Sequence, residues 1–156
     1  MFLKKEIPFN ELFVLELDSI KGDDTNGHVD NMVRFIDDEN LVYLASTDKS
    51  YVNYDLAKEL KNQLECIKKK SKIIKDIYPI FHDDRDTLYN DNTYYPYSKL
   101  NFIITSNCII FPSITNNNIS FIDSLNDLPI RKKKYNINCE ASLIECGGLH
   151  CLSVNI

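Results

Sequence analysis

The sequence predicts one mixed α/β domain, and three observations carry that expectation. The 156-residue length suits a single core. A strand, strand, helix, strand order occurs twice along the chain, and one segment shows the apolar spacing of an amphipathic helix. Hydrophobic content of 44% and charged content of 26% are ordinary for a globular protein, so disorder and fibrous repeats are excluded.

In chain order, the mostly apolar run 12–17 reads as a buried strand, followed by a polar loop, 18–27, that ends at His28. Residues 33–36 and 41–45 are short β-type runs joined by Asp37-Asp38-Glu39-Asn40, the pattern of a hairpin. Over 55–70, Leu56, Leu60, Leu64 and Ile67 recur at helical spacing among Lys and Glu. Residues 73–80 return to strand composition. A polar loop rich in Asp, Asn and Tyr, 83–98, has the length of a lid or binding segment.

The second unit then opens with a hairpin from 101–105 and 108–111. Asn116-Asn117-Asn118 reads as a turn before a shorter helix, 119–128, with Phe121, Ile122, Leu125 and Leu128 on one side. Residues 133–138 and 142–144 supply further strands.

A net charge of −5 is a poor field for holding a polyanion and mildly favours cationic small molecules. The basic runs Lys68-Lys69-Lys70 and Arg131-Lys132-Lys133-Lys134 each follow a helix-like segment, where they read as solvated turns complementing the helix dipole rather than a nucleic-acid surface. No window is apolar and long enough to cross a bilayer, and the start of the chain lacks the pattern of a signal peptide. A cytosolic protein with reduced thiols is expected, since five cysteines are an odd number and none forms a CxxC pair.

Two segments could carry chemistry. In Thr25-Asn26-Gly27-His28-Val29-Asp30, a His and an Asp two apart would share one face of an extended segment, where a carboxylate supports an imidazole or joins it in holding a cation. Near the other end, Glu145-Cys146-Gly147-Gly148-Leu149-His150-Cys151-Leu152 holds half of the chain's four glycines, which permit close backbone approach. Cys151 then reads as a nucleophile or as a small buried hydrophobe. In a strand, His150 would point away from whatever Cys151 faces, and His82 sits in an acidic loop, so His28 is the better partner for Cys151. A metal site drawn from His28, Asp30, His150 and Cys151 is the competing chemistry, without a recognised ligand spacing.

The two end segments with the ββαβ repeat between them resemble the agmatine deiminase and bacterial-type peptidylarginine deiminase family, over nearly the whole chain. Gly27-His28-Val29-Asp30-Asn31-Met32-Val33-Arg34-Phe35 looks like the family's Gly-His-x-Asp segment running into an Arg-Phe strand. Asn101-Phe102 with Phe111-Pro112 resembles its central hairpin, and Gly147-Gly148-Leu149-His150-Cys151 its glycine-rich nucleophile motif. The resemblance implies a partial pentein-type α/β propeller: about two ββαβ blades plus the closing strand of another at 12–17.

It also implies hydrolysis of a guanidinium to a ureido group and ammonia, with no metal or organic cofactor. By that likeness Cys151 attacks the guanidinium carbon, His28 serves as acid and then base, Asp30 binds two guanidinium nitrogens and Asn101 positions substrate. Asn26 replaces the family's usual acidic residue, and Cys146 shortens its glycine run. The family's N-terminal half, with a second guanidinium-binding carboxylate in a Trp-x-Arg-Asp type motif, has no counterpart, and the chain contains no Trp. A separate N-terminal half or self-association is therefore expected to complete the site, with agmatine ahead of peptidyl-arginine as substrate. An inactive remnant or binding module of the same fold is the alternative.

Overall fold

The computed structural model describes residues 9–24, 27–114, 121–122, 125–145 and 147–154. The first hairpin is closed by its own acidic turn: both Asp37 carboxylate oxygens accept, from the Glu39 and Asn40 backbone amides and the Asn40 side chain. This is the Asx-type bonding that favours Asp in turns. It joins β1, Val33–Phe35, to β2, Asn40–Ala45, in an antiparallel ladder with Val33 opposite Tyr43 and Phe35 opposite Leu41.

Helix α1, Tyr54–Lys70, follows with Ala57, Leu60 and Leu64 buried, and Lys68, Lys69 and Lys70 form its last turn beside the negative end of its dipole. The chain returns as β3, Asp76–Phe81, parallel to β2, giving the order β1-β2-β3. Pro79 lies in β3, which among the described residues pairs with β2 alone, so its missing N–H is tolerated.

Part of the 83–98 loop is structured. A 3-10 turn, Asp84–Asp86, carries a reciprocal cap in which Asp83 accepts from the Arg85 amide and Asp86 from the Asp83 amide. Strands β4, Leu88–Asn90, and β5, Thr93–Tyr95, then form a hairpin turned at Asp91 and Asn92, both at positive φ (47° and 60°). Two central residues at positive φ make the tight turn whose twist matches paired strands.

The second unit repeats the first. Strand β6, Ile103–Ile104, pairs antiparallel with β7, Cys108–Ser113, which pairs parallel with β8, Lys133–Asn138, in the order β6-β7-β8. Of the helix expected at 119–128, residues 115–120 and 123–124, with the Asn116-Asn117-Asn118 turn, lie outside the described residues. Phe121 and Ile122 are helical, and Leu125–Asp127 is a 3-10 turn.

Three expectations are corrected. Residues 12–17 form no strand: the Glu16 backbone bonds to a helix side chain instead of a sheet. The Gln63 amide donates to the Glu16 carbonyl at 2.8 Å and accepts from the Glu16 amide at 3.0 Å, while Glu11 accepts from the Lys72 amide and the Ser71 hydroxyl. Residues 142–144 belong to a short helix, α2, Glu140–Ile144, in which the Leu143 amide bonds to the Cys139 carbonyl and buries Leu143. Lys133 and Lys134 open β8 rather than closing a helix, and Lys132 binds the Thr105 and Ser106 carbonyls of the β6–β7 turn.

The main core runs between both three-stranded sheets, with Val42, Leu44, Leu60, Leu100, Phe102, Ile109 and Phe111 fully buried. The Phe111 ring packs tilted against Phe102, with centroids 5.1 Å apart, and makes a T-shaped contact with Phe121 at 5.4 Å. A smaller cluster, Leu88, Tyr97, Ile114, Cys139 and Leu143, lies under the β4–β5 hairpin and α2. Among the described residues no sheet closes on itself, and no helix is long and apolar enough to cross a membrane.

Candidate active site

Gly27, at φ +108°, turns the chain into His28, which stands just before the 3-10 turn Val29–Asn31. The His28 amide is held by an Asp23 carboxylate oxygen at 3.0 Å. The segment is thus a turn and not extended, so the expected strand-like sharing of a face is replaced by tighter geometry. Asp30 is half-buried and Asn31 buried, and His28 stays exposed.

The last described segment, 147–154, is also a turn: the Leu152 amide bonds to the Gly148 carbonyl and the Ser153 amide to the His150 carbonyl. Strand alternation therefore does not apply, which corrects the expected divergence of His150 and Cys151. The His150 ring donates through Nδ1 to Asp30 Oδ2 at 2.7 Å, and Cys151 Sγ lies 3.8 Å from the same oxygen. Ligand-capable atoms of His28, Asp30 and Cys151 all lie within 4.8 Å of one another.

Asn101 joins the two turns from behind. It is 2% exposed and uses both ends of its amide. Nδ2 donates to Asp30 Oδ2 at 3.2 Å and Asn31 Oδ1 at 3.1 Å, and lies 3.5 Å from Cys151 Sγ. Its Oδ1 accepts from the His150 amide at 2.8 Å. A Cβ on Gly148 would stand 2.3 Å from Asn101 Oδ1, so the glycine there makes room for this asparagine. The structure thus brings Cys151, His28, Asp30 and Asn101 together; Cys146 lies outside the described residues.

Two groups that sequence reasoning did not place at the site support it. Arg34 in β1 donates to the Leu100 and Phe102 carbonyls at 3.3 and 3.0 Å, flanking Asn101, and lies over the Phe102 ring at 4.7 Å. Burial pulls its pKa down, and the negative charges of Asp30 and Cys151 oppose that pull. A fixed cation thus stands close enough to act on both groups.

His82 is the second. It is buried, donates from Nδ1 to the Ile80 carbonyl and accepts the Lys99 amide at Nε2, a pattern that only a neutral ring satisfies. Burial, then the Lys99 charge, drives its pKa down to about 3. Lys99 in turn pairs with Asp86 at 2.5 Å and binds the Phe81 carbonyl. Burial raises the Asp86 pKa more than Lys99 lowers it. His82 therefore props the Ser98-to-Asn101 turn, whose Asn101 amide bonds to the Ser98 carbonyl. Its sequence neighbourhood of acids signalled an exposed loop and hid this role.

Small mixed sheets with few helices make a mixed α/β fold, and that fold matches solved deiminase structures. One crystal structure of a candidate peptidyl-arginine deiminase superposes with a TM-score of 0.84 at 25% identity, over 99% of this chain and 46% of that one. A cysteine-to-serine variant of C. jejuni agmatine deiminase with substrate bound gives 0.79 at 24%, over 96% and 43%. A candidate arginine deiminase from Porphyromonas gingivalis gives 0.82 at 23%, over 96% and 44%. The chain thus spans less than half the length of these solved structures.

The chain belongs to the Porphyromonas-type peptidyl-arginine deiminase family, whose profile matches residues 2–156. Relatives of this kind are deiminases, hydrolases of a guanidine C–N bond. No curated protein matches the sequence significantly.

Proposed function

We propose that the chain is the nucleophile-bearing portion of a guanidine-group deiminase that converts agmatine to N-carbamoylputrescine and ammonia. The observation that carries this reading is the convergence of Cys151, His28 and Asp30 within 4.8 Å. In the proposed reaction the Cys151 thiolate adds to the guanidinium carbon, and His28 protonates the departing nitrogen, which leaves as ammonia. The resulting thiouronium takes up one water, deprotonated by His28, and expels Cys151 as the ureido product forms.

Asp30 is the proposed carboxylate for the substrate cation. Its Oδ2 already receives His150 and Asn101, and no hydrogen bond reaches its Oδ1 among the described residues. A guanidinium would use Oδ1 directly and share Oδ2. Asn101 is proposed to fix Asp30 and the Cys151 turn at once.

The two ββαβ units of matching strand order support reading them as blades of a pentein-type propeller within a single domain. The exposure of His28 and Cys151 supports a site finished by further protein, either a separate complementary half or a second copy of the chain. Peptidyl-arginine is the second substrate reading, favoured by the description of the first structural relative. An inactive remnant is the outcome if the site is never closed.

Ammonia release from agmatine tests the proposal. Cys151→Ala and His28→Ala are each expected to abolish turnover, by more than about a hundredfold. Cys66→Ala, on the exposed face of α1, is expected to leave turnover unchanged. Activity retained by Cys151→Ala would end the covalent route.

A further inference from the structure

We propose that His28, Asp30 and Cys151 also form a binding site for zinc, a soft divalent cation that takes the nucleophile out of use while bound. The donor set is the first argument. A thiolate, an imidazole and a carboxylate are the three side-chain types that zinc accepts, and together they supply two negative charges against its two positive ones.

Geometry is the second argument. Zinc holds sulfur at about 2.3 Å and nitrogen or oxygen at about 2.0–2.2 Å, so tetrahedral ligand atoms stand roughly 3.3–3.6 Å apart. Here Cys151 Sγ and Asp30 Oδ2 are 3.8 Å apart, and no pair among the three residues exceeds 4.8 Å. His28 and Cys151 are exposed, so rotation about their side-chain bonds can close the remaining ångström or so without disturbing the core.

The third argument is that the carboxylate is already held. His150 Nδ1 at 2.7 Å and Asn101 Nδ2 at 3.2 Å fix Asp30, as outer partners fix the ligands of zinc sites. With three protein donors, the fourth position faces solvent and is filled by water. That is the open arrangement of a reactive or exchangeable zinc rather than a closed structural one.

The metal site stands on these residues alone; its regulatory meaning rests on the deiminase reading. A zinc-bound sulfur has one lone pair committed to the ion and is a weaker nucleophile, and the ion occupies the space between the three side chains that a guanidinium carbon would need. Zinc and a guanidinium would then compete for Cys151 and Asp30, and chelation would restore the thiolate.

The test is calorimetric titration of the full chain with zinc chloride, joined to iodoacetamide labelling read by peptide mass spectrometry. One ion per chain is expected, with zinc shielding Cys151 from alkylation while exposed Cys66 stays reactive. Cys151→Ser and His28→Ala should each weaken binding by at least about tenfold, the loss seen when even an outer partner of a zinc site is removed. Both positions are exposed, and unchanged melting curves would verify that the variants fold.

Absence of binding, or binding undiminished in both variants, would overturn the site. Ammonia release assayed in chelator separates the two readings: turnover without zinc binding removes only the metal site. Zinc binding without turnover removes only the deiminase reading.

Discussion

Asn101 shows how much of the site hangs on one side chain. Its amide faces two acceptors with Nδ2 and one backbone donor with Oδ1, all in a place 2% exposed. Gly148→Ala would push a methyl group into that amide at 2.3 Å. The expected result is a loss of about 1–3 kcal/mol in denaturant unfolding, together with faster alkylation of Cys151 as its turn loosens. His82 gives a pH signature. In the unfolded chain it titrates near 6.5; in the fold it stays neutral down to about 3. Between those values the unfolded chain holds the extra proton, so stability conferred by the neutral ring is full above about 6.5 and falls as pH falls. Replacing it with His82→Gln should flatten the melting temperature between pH 6.5 and 4. His28, Asp30 and Cys151 could be singled out in the sequence because Gly-His-x-Asp and Gly-Gly-x-His-Cys are short, local patterns, whereas Asn101 came from the family resemblance; the fold brings the four together. The contact of His150 with Asp30 was not legible, because a glycine-led turn and a strand look alike over five residues, and only the turn points both side chains inward.

At the level of elements, both hairpins and the long helix follow from residue spacing, and the strand order of the two units agrees with the pattern that suggested them. The failures share a cause: short apolar runs carry no period long enough to distinguish strand, helix and coil. Within residues 12–17, Leu15 and Leu17 pack against the core, and Gln63 of α1 supplies the Glu16 backbone with the hydrogen bonds that a neighbouring strand would have made. Gln63→Ala should therefore speed amide exchange at Glu16, where the amide loses its acceptor, while α1 keeps its own protection. A fall in stability of about 1 kcal/mol is expected, the ordinary worth of such a bond on a partly exposed surface. The β4–β5 hairpin carried a signal in Asp91-Asn92 between Tyr89 and Tyr94, masked by the polar character of the whole loop.

On the scale of the whole molecule, an open trough of about 880 Å³, lined by Leu12, Val14, Val29, Val33, Phe35 and Ile74, runs beside the His28 turn. Val14 is 74% exposed, Val29 55% and Phe35 49%, an apolar surface of the kind that favours association. Sedimentation of the purified chain should show a mass that rises with concentration, and Val14→Glu combined with Phe35→Lys should return it to the mass of one chain.

The site also joins chain positions that lie far apart. Asp30 is bonded to Asn101 across 71 residues and to His150 across 120, whereas the first ββαβ unit runs without interruption from β1 to β3. Contacts closing such long loops form slowly, after local ones. During synthesis, at about 5–20 residues per second, the first unit can assemble while Cys151 is still untranslated. The cluster around Asp30 is therefore among the last parts of the chain to form, and in refolding the burial of Asn101 should lag behind the burial of Leu60.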